Sequence, residues 1–443
     1  MKALSRISIL ILFVVFLNNF SFSQSSDTTG FDDLLALALK NNYGILISKN
    51  DVEIGQMNNS WGNAGFLPVV GISALDNYSK TDNQTAYSDG TDETRNNINS
   101  NMLDAAIQLN WTLFDGTKMF VVKNKLSELE NRSRLQLQME TEAVYVQLSS
   151  MYYGLVQEQK LEQVLIYTLG ISRFRFSLAD RKFRLGAASE VDRIQASLDY
   201  SNDSSLLIKE QTKIMNLKAD INRIVGRAPE TAFSAQSEME ILTQFSYSDL
   251  ENSLNAQNIS ILLARNNLRI RELEMEETRS YFLPSFSLYA DYGYTRFDYN
   301  PGTIDWTETM GPTVGLRLGF NLFNGFNDRR RREISKIEYE SAQLEEKDQL
   351  IVTKSELYQS YNTYTSAIKQ IDLETSNLEN ARKNLQFAVE LYKRGAINEI
   401  DFREIQRKEF DAENRLLFAQ YYAKTAEIQL LQISGNLKLE ANN

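Results

Sequence analysis

Two hydrophobic patterns alternate along the chain. In the first, apolar and polar residues take turns: Ala105, Ile107, Leu109, Trp111 and Leu113 alternate with Ala106, Gln108, Asn110 and Thr112. Phe286, Leu288, Ala290, Tyr292 and Tyr294 do the same, as do Val314, Leu316, Leu318, Phe320 and Leu322. A weaker run holds Val70, Ile72, Ala74 and Tyr78, with Asp76 breaking the face. A period of two with one apolar side predicts four strands, each near the roughly 9 to 11 residues that cross an outer membrane at a tilt. The same alternation would suit a soluble antiparallel sheet, so the strands alone do not choose.

The second pattern is helical and very long. Thr117 to Arg184 contains no proline, and Gly154 and Gly170 are its only glycines. A continuous helix of about 100 Å is expected there at 1.5 Å per residue. In the matching stretch Phe326 to Arg394, Leu350, Leu357, Tyr364, Ile371, Leu378, Leu385 and Tyr392 fall every seventh residue. A helix holds such a seam toward one partner by supercoiling left-handedly. The expected return helix carries Phe402, Leu416, Ala423 and Leu430 on one register and Ile405, Ala412, Ala419, Ala426 and Ile433 on another. Gly186 and Gly395 suit the left-handed cap that ends a helix, while Ser189 and Asn398 suit the start of the next, with Asp192 and Asp401 at its third position.

The chain also repeats itself. Leu113-Phe114-Asp115-Gly116 returns as Leu322-Phe323-Asn324-Gly325, and Gly186 to Asp192 returns as Gly395 to Asp401 with the same offset. Phe66-Leu67-Pro68 and Phe282-Leu283-Pro284 need a longer one, which places a length difference in the loops Ser79 to Asn101 and Arg296 to Met310. Two halves of one plan follow: helix, two strands, very long helix, tight turn, helix. Pro68 and Pro284 are expected to end the first helix of each half. The expected organisation is a signal peptide over 1–23, a first repeat over 24–226, a midpoint linker over 227–246, a second repeat over 247–435 and a tail over 436–443. The first helix of each half and the return helix are each about half the long one, so the two could flank it end to end.

Composition narrows the chemistry. There is no histidine and no cysteine, which removes imidazole bases, thiol nucleophiles, Cys/His zinc sites and disulfides. No catalytic constellation, metal or cofactor is expected. A net charge of -11 argues against a nucleic-acid partner. Lys2 and Arg6, an apolar stretch from Ile7 to Leu17 and the small residues Ser21 and Ser23 read as a secretory signal peptide cut near Gln24. Beyond it no apolar run is long enough for a membrane helix, so membrane contact falls to the strands. Four strands cannot close a barrel, two copies would fill their own interior, and three make twelve strands with room for a lumen.

The plan resembles the TolC-like outer-membrane efflux family across the mature chain. The resemblance rests on "LALALKNNYGILISKNDVEI" and its echo "AQNISILLARNNLRI", on the junctions "FLP" and "LFDG/LFNG", and on the tips "FRLGAASEVDRIQA" and "YKRGAINEIDFREI". It implies a mostly α fold with a transmembrane β-barrel: a tandemly duplicated protomer giving four strands and long coiled-coil helices to a trimeric twelve-stranded barrel over an α-helical barrel. It also implies an exit duct for efflux or type I secretion, docked on a periplasmic membrane-fusion adaptor and an inner-membrane pump of RND or ABC type. By the same resemblance Arg184, Leu185, Gly186, Ala187, Arg394, Gly395 and Ala396 would meet the adaptor, and Asp192, Tyr392, Asp401 and Glu404 would form the entrance gate. Asp401 and Glu404 stand one helical turn apart, so three copies would stack carboxylate rings that favour cations. Where the family's closed gates carry a basic residue, this chain has Ile397.

Asp328 and the run Arg329-Arg330-Arg331-Arg332 open the second long helix, against the helix dipole. Lipid head groups or facing carboxylates at the membrane edge would explain them; a solvated face is the plainer reading. The long helices alone would also suit a structural periplasmic tether, which needs no barrel.

Overall fold

The computed structural model describes residues 28–236, 238–242, 244–300 and 304–437. The expected signal peptide and most of the expected tail lie outside them. The first half contains β1 (Thr28–Thr29), α1 (Phe31–Asn41), α2 (Tyr43–Asn58), β2 (Val69–Ala86), β3 (Asp92–Asp115), α3 (Lys118–Arg184) and α4 (Glu190–Ile224). After β4 (Ser234–Ala235) come α5 (Tyr247–Gln257), α6 (Ile259–Glu277), a 3-10 turn (Thr278–Phe282), β5 (Ser285–Asn300), β6 (Trp306–Gly319), α7 (Asn327–Lys393) and α8 (Glu399–Ser434).

The two long helices are unbroken, each of 67 residues or about 100 Å. Gly154 and Gly170 are carried inside α3. The first helix of each half differs from expectation: it breaks in two at an asparagine. Asn42 leaves helical geometry, accepts from the backbone N–H groups of Gly44 (2.9 Å) and Ile45 (3.2 Å), and donates through Nδ2 to the Ile224 carbonyl (2.9 Å). Asn258 does the same work between α5 and α6, accepting from Ile261 N–H (3.1 Å) and donating to the Ile433 carbonyl (2.9 Å). One side chain thus caps a new helix and satisfies the last turn of another. Nor does Pro68 end the first helix: α2 stops at Asn58, and a turn fills the interval. Before Pro284 the chain tightens into the 3-10 turn instead.

α2 runs back along the sheet-side half of α3, where Asn59 Nδ2 donates to Glu130 (2.7 Å), and α4 lies along the other half, where Lys213 meets Glu158 (2.5 Å). The end-to-end flanking expected from length is therefore present. α5, α6 and α8 flank α7 likewise: Lys354 pairs with Glu251 at 3.0 Å, and Arg415 with Glu374 at 3.0 Å. Leu357, Tyr364, Leu378, Leu385 and Tyr392 of the seven-residue seam are buried, as are Phe402, Ala412, Ala419, Ala423, Ala426 and Leu430 opposite. The two main apolar cores sit at mid-length. One joins Leu34, Leu35, Leu148, Tyr152, Leu155 and Ile221; the other joins Leu250, Leu254, Leu357, Tyr364 and Leu430. Burying each such side chain contributes about 1.5–3 kcal/mol. The chain between the halves is tied to this level by the parallel β1–β4 pair, by Lys424 Nζ on the Glu240 carbonyl (2.7 Å) and by Leu242 N–H on Glu427 (3.0 Å).

The remaining strands form one antiparallel sheet in the order β2-β3-β5-β6. They are longer than the patterning indicated, with 18, 24, 16 and 14 residues. The expected loop Ser79 to Asn101 is mostly a hairpin extension, paired from Ser79↔Ser100 out to Ala86↔Asp92. Polar residues pair as well as apolar ones where neither face is buried, so the alternation fades while the ladder continues. At the other extreme β6 stops at Gly319, and Phe320 and Leu322 lie beyond it.

Register sorts the faces. Val70, Leu109, Ala290 and Val314 line up across the four strands, and so do Ile72, Ile107, Tyr292 and Pro312. On the opposite face Gly71, Gln108, Asp291 and Thr313 line up, and two rows further along Leu75, Asp104, Thr295 and Thr309. The apolar rows are exposed, with Ile72, Ile107, Tyr292, Val314 and Leu316 covered by nothing among the described residues. Among the described residues, β2 and β6 each present an unpaired edge.

Candidate functional site

Both hairpin tips are built alike. At the end of α3, Gly186 adopts φ +72° and Ala187 N–H closes back on the Lys182 carbonyl (2.8 Å); after α7, Gly395 adopts φ +74° and Ala396 N–H closes on the Leu391 carbonyl (2.8 Å). Glycine takes this left-handed position without the Cβ penalty. Ser189 and Asp192 complete a reciprocal capping box, each backbone N–H bonding the other's side chain at 3.1 Å. At the second tip Asn398 Oδ1 accepts from Asp401 N–H (2.8 Å). The tips project apolar side chains into solvent, with Leu185 at 83%, Val191 at 74% and Ile400 at 73% exposure.

Behind the tips lies a charge cluster that the patterning did not single out. Arg175 of α3 is completely buried. Its Nη2 donates to Asp199 of α4 (3.1 Å) and to Glu399 of α8, its Nη1 donates to Gln406 of α8 (3.1 Å), and its guanidinium lies 5.5 Å from the Phe402 ring centre. Arg403 of α8 grips Asp203 of α4 through both terminal nitrogens (2.7 and 2.9 Å) and stands 3.6 Å from Asp199. Ser172 donates to Asp203, and Gln406 Nε2 donates to the Thr168 carbonyl (3.3 Å). Burial would pull the Arg403 guanidinium down, but Asp203, Asp199 and Glu399 outweigh it and hold it above its ordinary value. Breaking such a buried group by removing one partner costs about 3–5 kcal/mol, because the charges left behind stay out of water. The cluster therefore fastens the α3/α4 hairpin to the α7/α8 hairpin.

Tyr392 is brought into this cluster, and the other expected gate residues are not. Its hydroxyl donates to Glu399, and burial, then that bond, push the phenol above its ordinary value, so it remains a donor. Asp192 is engaged in its cap. Asp401 is exposed on the first turn of α8, and exposed Glu404 pairs with Lys408 at 2.7 Å. Glu404 lines a cleft of about 520 Å³ between α4 and α8 with Gln195, Arg407 and Asp411. Of the expected tip residues, Arg184 is exposed and paired with Asp180 at 2.9 Å; Arg394 is the last residue before Gly395 and is exposed. Ile397 packs beside Leu385, Ala388, Tyr392 and Phe402, an apolar wedge in place of a charge. The missed residue had a visible sign: Leu165, Thr168, Ser172, Arg175 and Ala179, all buried, are spaced three and four apart, so an arginine occupies a core position of the coiled coil.

With this geometry in view, residues 250–436 match the family described as outer membrane efflux protein. The chain is similar to outer membrane efflux proteins. The alkaline protease secretion protein AprF of Pseudomonas aeruginosa is 21% identical over 408 residues, covering 90% of this chain and 83% of AprF. The outer membrane protein TolC of Salmonella enteritidis is 20% identical over 384 residues, covering 84% and 74%. Among solved structures, the outer membrane protein VceC of Vibrio cholerae superposes with a TM-score of 0.74 over 91% of this chain and 96% of its own, at 14% identity, which speaks for the fold alone. What these comparisons share is an outer-membrane setting and a role in efflux or secretion, not catalysis. Among the described residues no helix is long and apolar enough to cross a membrane.

Proposed function

We propose that the chain is the exit duct of a tripartite efflux or type I secretion system, acting as a homotrimer whose twelve strands close a barrel in the outer-membrane lipid. The observation that carries this is the four-stranded sheet with one apolar face uncovered and both edges unpaired. In lipid an open edge strands backbone N–H and C=O groups, so further copies must supply the missing ladders. The duplicated plan and the boundaries expected from it, with the linker 227–246 between halves, fit a protomer that lends two equivalent hairpins to an α-helical barrel. Exposed apolar positions on α4 (Val191, Ile194, Leu198, Ile208) and on α7 (Leu344, Ile351, Tyr358, Phe387) give neighbouring copies surfaces to bury.

In this reading the tips Arg184, Leu185, Gly186, Ala187, Arg394, Gly395 and Ala396 receive a membrane-fusion adaptor, which links the duct to an RND or ABC pump. Asp192, Tyr392, Asp401 and Glu404 surround the entrance, and the Arg175–Asp199–Glu399 group latches it from within. AprF and TolC carry names from protein secretion and the outer membrane, which agree with this role.

Single cysteines at Ala188 and Ile397, in a chain that otherwise has none, test the assembly. Crosslinking in cells should capture a periplasmic adaptor, and the unheated protein should run as a trimer whose sheet melts only on heating. A mature protein recovered as a water-soluble monomer would refute the proposal.

A further inference from the structure

The arginine run at the start of α7 has no role in the gate, and its surroundings differ from those of the matching turn of α3. There, just beyond the sheet, basic residues are satisfied within the chain. Lys118 and Lys125 pair with Glu277 at 3.2 and 2.5 Å, and Lys123 stacks 5.6 Å from the Trp61 ring centre and donates to Asn59. At the head of α7 the side chains of Arg329 and Arg330 have no partner among the described residues, nor has that of exposed Arg279 on the 3-10 turn. Arg331 reaches only Asp328, at 3.9 Å, and otherwise lies over the Tyr281 ring; Arg332 lies over Phe282. The four arginines of α7 thus have Asp328 and Glu333 as their nearest acids in sequence.

Around them stands a girdle of exposed apolar side chains: Phe282, Phe320, Leu322, Phe323 and Phe326. The arginines follow the last residue of β6, Gly319, by ten to thirteen positions, and all four fall within the first two turns of α7. Rings at the level where a sheet leaves lipid, with guanidinium groups laid on them, form an interface that is apolar on the membrane side and cationic on the water side. Four like charges at a helix start oppose its dipole and each other, so the isolated chain gains nothing from them.

We propose that Arg279 and Arg329 to Arg332 form a docking surface for the acidic head groups of membrane phospholipids, with guanidinium groups bonding lipid phosphate while the neighbouring rings lie among the acyl chains. The chemistry recognised is a phosphate monoanion, and the source is the bilayer, because the aromatic girdle gives a free anion nothing to hold. The surface sets the depth of the sheet in the membrane and resists axial sliding. This rests on the sheet's spanning the outer membrane.

The test uses the full-length protein purified in mild detergent and titrated with dioleoylphosphatidylglycerol or dioleoylphosphatidylcholine, the retained lipids being counted by native mass spectrometry. The wild type should retain the acidic lipid preferentially. The variant with Arg329, Arg330, Arg331 and Arg332 all changed to glutamine should lose that preference by about fivefold for each arginine in contact. The four-lysine variant, which keeps the charge, should retain most of it and guards against misfolding as the cause. Millimolar inorganic phosphate should not displace the bound lipid. Equal retention of both lipids by the wild type, unchanged preference in the glutamine variant, or displacement by free phosphate would each overturn the lipid surface while leaving the duct intact. Preference for an acidic protein segment over phosphatidylglycerol would do the same. Retention of neither lipid would sink the duct reading as well.

Discussion

Replacing Arg175 with methionine is expected to release the entrance. The side chain is fully buried and joins Asp199, Glu399 and Gln406, so its removal leaves two carboxylates facing each other out of water. A methionine keeps much of the volume over Phe402 but none of the charge. Stranding buried charges costs about 3–5 kcal/mol, and the lower figure applies here, because Arg403 Nε already stands 3.6 Å from Asp199 and can move toward it. If that cost falls on the packed arrangement of the two hairpins and is relieved when they part, about 3 kcal/mol shifts the balance toward the parted state roughly a hundredfold. Single-channel conductance in planar bilayers reads this as a larger open probability, and spin labels at Ala188 and Ile397 should report a wider tip. Adding Asp199→Asn and Glu399→Gln to the methionine variant removes the stranded charges and should restore most of the closed state, which separates charge from packing. The latch would be wrong if Arg175→Met left conductance and tip spacing at wild-type values while helix content and melting were unchanged.

Other perturbations are smaller or act elsewhere. Glu142 of α3 is buried, and burial pushes its carboxyl up to about 7; the folded protein therefore holds this proton more tightly than the unfolded chain. Its ionisation costs stability as pH rises from the ordinary carboxylate range through about 7, so Glu142→Gln should stabilise by up to about 3 kcal/mol above that pH and change little below pH 4, measured by thermal melting across pH. Asn42→Ala and Asn258→Ala each remove a helix cap and a bond to a distant carbonyl, and each should cost about 1–2 kcal/mol in urea unfolding of the helical portion. A side chain at Gly315 would collide with the Tyr289 ring, which Arg317 covers at 5.4 Å; Gly315→Val should lower the temperature at which the sheet loses its resistance to detergent.

Legibility followed periodicity. The seam Leu350 to Tyr392 and the alternation of Ile107, Leu109 and Trp111 were readable because burial on one side imposes a repeat that survives any detail of packing. Gly186 and Gly395 were readable because few residues accept their backbone angles. The break at Asn42 was not, since asparagine is unremarkable within a polar helix and its second bond goes to Ile224, far along the chain. The outer reach of β2 and β3 was hidden because paired polar residues leave no periodic sign. The charge cluster behind the tips was half legible: Tyr392 lay on the seam, but Glu399, Asp199 and Asp203 look like ordinary surface acids until α4 and α8 are laid against α3.

By itself the sequence determined the inventory: two halves, four alternating strands, two helices of about 100 Å, well-capped tips, and a chemistry without imidazole or thiol. These are local properties, set by backbone geometry and the side on which each residue is apolar. Only the tertiary structure decided that Arg175 is enclosed by carboxylates from two other helices, that the apolar rows of four strands fall into one register, and that Arg329 and Arg330 lack, among the described residues, partners such as Lys118, Lys123 and Lys125 find at the head of α3. Those depend on which surfaces meet across hundreds of residues, and electrostatic burial is a property of the meeting rather than of either surface.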